Sequence, residues 1–198
     1  MLASTLLLKK KVVVASTATT WDPNNKGTQV TLSNNNLRAT ISPYGQAVKA
    51  TLSRNSGKYY FEIIATQFEG SISYSPLIGL GTASTGLITT PWTTATGEIY
   101  WYCSNPTSSL IYGNNNRVAY GVTGFTQGDY VGAAVDLDNK ILTYYRNGTN
   151  EGNINLATYC PGQSTWWPMV CSPYGSNGFT VVDWQATPKY TPSGYGLW

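Results

Sequence analysis

The chain has 198 residues, a length that one β-rich domain fills without splitting; at that size folding removes roughly 70% of the unfolded surface from water, so no disulfide or metal staple is required. Charged residues make up 11%, and twelve basic against nine acidic side chains leave +3, too sparse and too scattered to track nucleic-acid phosphates. Histidine is absent, which removes most acid–base and triad chemistry, and three cysteines without dense, regular spacing read as buried thiols of a reducing compartment rather than a disulfide framework.

Residues 1–20 differ from the rest. Leu6, Leu7 and Leu8, then Lys9, Lys10 and Lys11, then Val12, Val13 and Val14 precede an Ala/Ser/Thr stretch. Two readings stand together here: an arm that anchors the protein by adding an extended segment to a neighbour's sheet edge, or a frayed terminus. The charges follow the short leucine run instead of preceding it, so a secretion signal is not expected. No stretch approaches the about 20 apolar residues of a membrane span. The main domain is assigned to 21–198.

From Trp21 onward, short β-type runs alternate with Asn, Gly, Ser and Pro clusters, the pattern of an all-β two-sheet sandwich. Strands are expected at 29–32, 36–41, 48–52, 58–65, 77–81, 98–102, 118–122, 130–137, 141–145, 166–171 and 179–184. Tyr59, Phe61 and Ile63 alternate with Glu62, and Val131, Ala133 and Val135 with Gly132 and Ala134, which gives each strand one buried face and one wetter face. Asp138, Asn139 and Lys140 form the turn of a hairpin, and Asn147-Gly148 supplies the next. Asn147-Gly148-Thr149 also spells a glycosylation acceptor, but turn geometry explains it better.

The nine acids show no arrangement that lines one strand face with several carboxylates. Asp136 and Asp138 share a face at the hairpin end, where Asp is expected for local backbone bonding. With Asn139 they could supply oxygens to Ca²⁺, yet the regular spacing of a dedicated loop is missing. No catalytic residue, metal or cofactor is therefore expected. Candidate binding residues are the aromatics set among Asn, Ser, Thr and Gly: Trp92, Tyr112, Tyr159, Trp166 and Trp167. Flat rings beside amides and hydroxyls suit a sugar or a protein groove. Trp166 and Trp167 point to opposite faces of a strand, so at least one belongs to the core.

GKYYFEI at 57–63 and GDYVGAAVDLDNKILTYYRNG at 128–148 resemble the early core strand and the most recognisable hairpin of the SPRY family, a concanavalin-like β-sandwich. WDPNNKGTQVTLSNNNLRAT at 21–40 and FTVVDWQATPKYTPSGY at 179–195 are similar to SPRY-like domains of bacteriophage virion proteins. Asp183, Trp184 and Gln185 replace the Asn-Phe-Gly-Gln usual there. The resemblance implies a binding module with specificity in its loops, and its phage branch implies a particle-surface protein.

The leading expectation is thus a non-enzymatic virion surface protein, a capsid decoration or fibre component made in the host cytoplasm. It would be held by its arm to other virion proteins and offer loops to host-surface glycans or neighbouring subunits. Symmetric assembly follows for such a component, a trimer first. The alternatives are a free carbohydrate-binding module, a glycan-cleaving enzyme, and an intracellular peptide-binding adaptor.

Overall fold

The computed structural model describes residues 18–42, 45–68, 75–87, 97–105, 108–113, 116–172 and 179–198. In chain order the elements are β1 (Trp21–Lys26), β2 (Val30–Ser33), β3 (Arg38–Ile41), β4 (Ala47–Ala50), β5 (Lys58–Phe68), β6 (Leu77–Gly81), β7 (Glu98–Asn105), β8 (Ser108–Gly113) and β9 (Asn116–Ala119). They continue with β10 (Tyr130–Asp136), β11 (Ile141–Arg146), β12 (Thr149–Asn155), the one-turn α1 (Leu156–Tyr159), β13 (Trp167–Cys171), β14 (Thr180–Trp184) and β15 (Gly196–Leu197). One sheet runs β1-β4-β13-β6-β7-β8-β9 and the other β12-β11-β10-β5-β14-β3-β2, with β15 parallel beside β5. The all-β, two-sheet antiparallel sandwich expected from the strand pattern is the fold.

The two inner faces meet through aromatics. Phe61 stacks on Trp184 at 5.6 Å and 6°, Trp21 meets Trp184 edge-on at 5.2 Å, and Trp101 packs on Phe125 and Tyr144. Fully burying side chains of this kind stabilises the fold by roughly 1.5–3 kcal/mol each. The hairpin turns behave as expected. Lys140, Asn147 and Gly148 all have positive φ, and Asn147 is further fixed because its side chain accepts the Tyr130 N–H and donates to Asp129.

Four strands lie outside the expected runs: β1, β8, β12 and β15. WDPNNK, TNEGNIN and the two-residue GL carry little apolar alternation and become strands because a neighbour offers an open edge. The expectation of a wetter face on the two central strands is corrected. Tyr60, Phe61, Glu62 and Ile63 are all buried, as are Val131 through Asp136. The outer face of β5 is covered by the segment that joins β14 to β15. Glu62, fully buried, accepts the main-chain N–H groups of Lys189 at 2.7 Å and Tyr190 at 3.2 Å and the Tyr60 hydroxyl at 2.8 Å. One internal carboxylate thereby straps the end of the chain across the sheet.

Ala18–Thr20, at the end of the stretch read as an arm, lie against the sandwich. Thr19 is buried and donates its hydroxyl to the Trp198 main-chain oxygen, and Thr51 N–H donates to the Thr20 carbonyl at 2.8 Å. Leu6–Val14 of the anchoring reading lie outside the described residues.

Candidate binding surface

Alternation along the seven-stranded sheet sends Ile78, Leu80, Ile99 and Trp101 into the core and sets a second row on the outer face. Register aligns Lys49 with Met169, Met169 with Gly79, Gly79 with Tyr100, and Tyr100 with Tyr112 across five strands. The next row aligns Trp167 with Gly81 and Gly81 with Glu98. A Cβ added at Gly81 would lie 2.5 Å from the Met169 sulfur, so a side chain there would displace Met169.

Segment 82–87 crosses this face. Lys49 is 3% exposed, and its Nζ donates to the carbonyls of Thr82 at 2.6 Å and Thr85 at 2.9 Å, while the Thr85 hydroxyl donates to the Gly97 carbonyl at 3.0 Å. Burial lowers the Lys49 pKa, opposed by the charge of Glu98. Glu98 is 2% exposed. Burial pushes its carboxyl up to about 7, against the lowering influence of the Tyr100 hydroxyl, which donates at 3.1 Å, and of Lys49. Its Oε1 has no hydrogen-bond partner among the described residues. A buried ammonium and a buried carboxyl that perturb one another under a chain crossover make this face the candidate site. Only the alternation of Glu98, Tyr100 and Tyr102 against Ile99, Trp101 and Cys103 signals it in the sequence.

The five aromatics expected to bind are dispersed. Trp166 is corrected to a core residue: it is 2% exposed, and its main chain pairs with Arg54 in both directions. Strand alternation then turns Trp167 outward, half-buried, with Lys49 Nζ 5.8 Å from its ring centre. Tyr159 stands in α1 and packs on the core, half-buried. Tyr112 lies within β8, paired with Tyr100, and so is not a loop residue. Trp92 lies outside the described residues.

The acids are mostly committed to holding the fold. Asp136, 4% exposed, pairs with Lys58 at 2.8 Å and with both the main chain and side chain of Asn139. Asp138 accepts the Gly57 N–H at 2.9 Å, so the two aspartates serve different partners. Asp183 takes a two-pronged bond from Arg38 and a hydroxyl bond from Thr66. Glu151 pairs with Arg146, Asp129 caps Thr126, and Asp22 accepts from Asn24 N–H. Among the described residues no group of three or more acids and cysteines is placed to hold a metal ion. The three cysteines are buried and unbonded to one another, and burial pushes the Cys103 and Cys160 thiols up to about 12.

The chain is 29% identical over 140 residues to Ran-binding protein 9 of Danio rerio and to Ran-binding protein 9 of Homo sapiens. Those residues are 67% of this chain but only 22% and 18% of the relatives, so the chain spans about a fifth of their length. The SPRY domain of human HERC1 superposes with a TM-score of 0.68 at 17% identity, covering 83% of this chain and 96% of that domain. The TRIM65 PSpry domain superposes with a TM-score of 0.65 at 14% identity, covering 85% and 92%. These likenesses establish the shared fold. The SPRY domain model matches residues 58–181, from the first residue of β5 into β14, and the chain belongs to the SPRY domain family.

Proposed function

We propose that this chain is a non-catalytic recognition domain that binds a protein or glycan partner on the outer face of the seven-stranded sheet, around Trp167. The observation that carries this reading is the half-buried Trp167 ring standing beside buried Lys49 on a rigid sheet. Such a ring gives contact area with little ordering cost. The commitment of Asp136, Asp138, Asp183, Glu62 and Glu151 to turns, straps and ion pairs supports a binding rather than a catalytic role. Screening the purified chain on peptide and glycan arrays tests it. Binding that Trp167→Ala removes while the chain stays folded at the assay temperature supports the reading; turnover of a polysaccharide, lost in Asp136→Asn or Asp138→Asn, refutes it.

The same proposal sets the domain on a virion surface, as a capsid decoration or fibre component held by Leu6–Val14 to other virion proteins. The phage-like character of 21–40 and 179–195 supports that placement. Because Ala18–Thr20 are tied into the sandwich, the arm is best tested by deleting residues 1–17 alone. Loss of particle incorporation by a folded protein supports the arm's role, and unchanged occupancy refutes it.

A further inference from the structure

Beside β5 the sheet has a seam. Trp184 ends β14 opposite Ile63, and Gly196 begins β15 opposite Tyr59, while the intervening chain departs over the outer face under the hold of Glu62. A cavity of about 200 Å³ opens at this seam, between the chain end, Ala18–Thr19 and the segment before β5. Its lining residues include Tyr60, Trp184 and Trp198, and Leu197, half-exposed, stands at it as one of the two exposed large hydrophobic residues described. None of Lys49, Glu98 and Trp167 lines it.

Arg54 is the one charged side chain among the lining residues. Its position is fixed twice. Its main chain exchanges hydrogen bonds of 2.9 and 2.8 Å with Trp166, and its guanidinium lies over the Tyr59 ring at 4.5 Å. The Arg54 Nε–H is buried and has no acceptor among the described residues. At the same cavity the Trp198 main-chain oxygen takes the Thr19 hydroxyl, and the Leu52 carbonyl takes the Trp198 indole N–H at 2.9 Å. A guanidinium held over an aromatic ring at a cavity, with no acid paired to it among the described residues, has part of its ordering and desolvation already incurred, so an arriving anion gains from it more than it would in water. The planar fork of arginine matches a carboxylate, and the aromatic walls match an apolar body.

We propose that this cavity binds a carboxylate carried on a small apolar body, with the carboxylate on Arg54 and the body between Trp184 and Trp198. The source is either a free aromatic acid or the acidic side chain of a peptide. The full 198-residue chain, labelled at its indole nitrogens, is titrated with phenylacetate, with its neutral isostere phenylacetamide, and with a short peptide holding one Glu between two Leu residues. The expected result is saturable shifts of the Trp184 and Trp198 indole signals by phenylacetate or the peptide, with phenylacetamide at least about tenfold weaker, since the preference comes from one charge-assisted pair. The tighter of the two acids identifies the source. In Arg54→Gln the acid and the amide should bind alike. No saturable shift with either acid, equal binding of phenylacetate and phenylacetamide, or a preference that survives Arg54→Gln would overturn the proposal. The acid-against-amide comparison on the unaltered chain decides the matter even if that variant does not fold.

Discussion

The carboxylate of Glu62 accepts the main-chain N–H of Lys189 at 2.7 Å, across 127 residues of sequence, at a point where Glu62 has no exposed surface. This bond, with those from Tyr190 and Tyr60, holds the segment 185–195 over the eight-stranded sheet. It also sets where β15 returns to the sheet, and with it the seam beside β5.

Replacing Glu62 with Gln keeps one acceptor oxygen and sets an amide donor against one of the two main-chain N–H groups. The expected loss is about 3 kcal/mol, because charge-assisted bonds are replaced by a buried donor–donor conflict. Urea unfolding measures the loss. Hydrogen exchange at the Lys189 and Tyr190 amides should accelerate more than at the β10 amides, which separates release of the strap from global weakening.

Glu98 predicts a stability decline across the neutral range. Its folded carboxyl titrates at about 7 against an ordinary 4.5, so between these values the folded chain keeps a proton that the unfolded chain releases. Stability therefore falls as pH rises from 4.5 to 7 and levels off above, by an amount of order 3 kcal/mol. In Glu98→Gln this slope should vanish from a plot of unfolding free energy against pH, and a retained slope would assign it elsewhere.

Asp136 acts in the opposite direction. Burial disfavours its charge, but the Lys58 ammonium and the Asn139 side chain and N–H outweigh that and hold its pKa at about 2, below an ordinary 3.8. Its stabilisation is present above about pH 4 and is lost as pH falls toward 2. Lys58 is half-exposed, so salt should weaken the effect. Melting temperature against pH in Asp136→Asn should show a shallower acid limb than in the unaltered chain.

The neighbouring tryptophans should separate in thermodynamics as they do in space. Trp166→Ala removes a buried ring and should cost about 3–5 kcal/mol. Trp167→Ala removes a half-buried one and should cost about 1–2 kcal/mol. Equal losses in denaturant unfolding would contradict their assignment to opposite faces.

What the sequence determined by itself were properties that repeat over a few residues. Alternation in 59–63 and 131–135 identified central strands, Asn147-Gly148 marked a turn with positive φ, and adjacency of Trp166 and Trp167 required opposite faces. These follow from backbone geometry within one strand or turn, so neighbours along the chain suffice to reveal them. The tertiary structure alone decided which face was dry, which acids were spent, and where an unpaired charge remained. Glu62 meets Lys189, Lys49 meets Thr82, and Arg54 meets the seam left by β14 and β15 only after distant strands have paired. A buried polar group answers to whatever the fold brings within about 3 Å of it, and no local pattern carries that information.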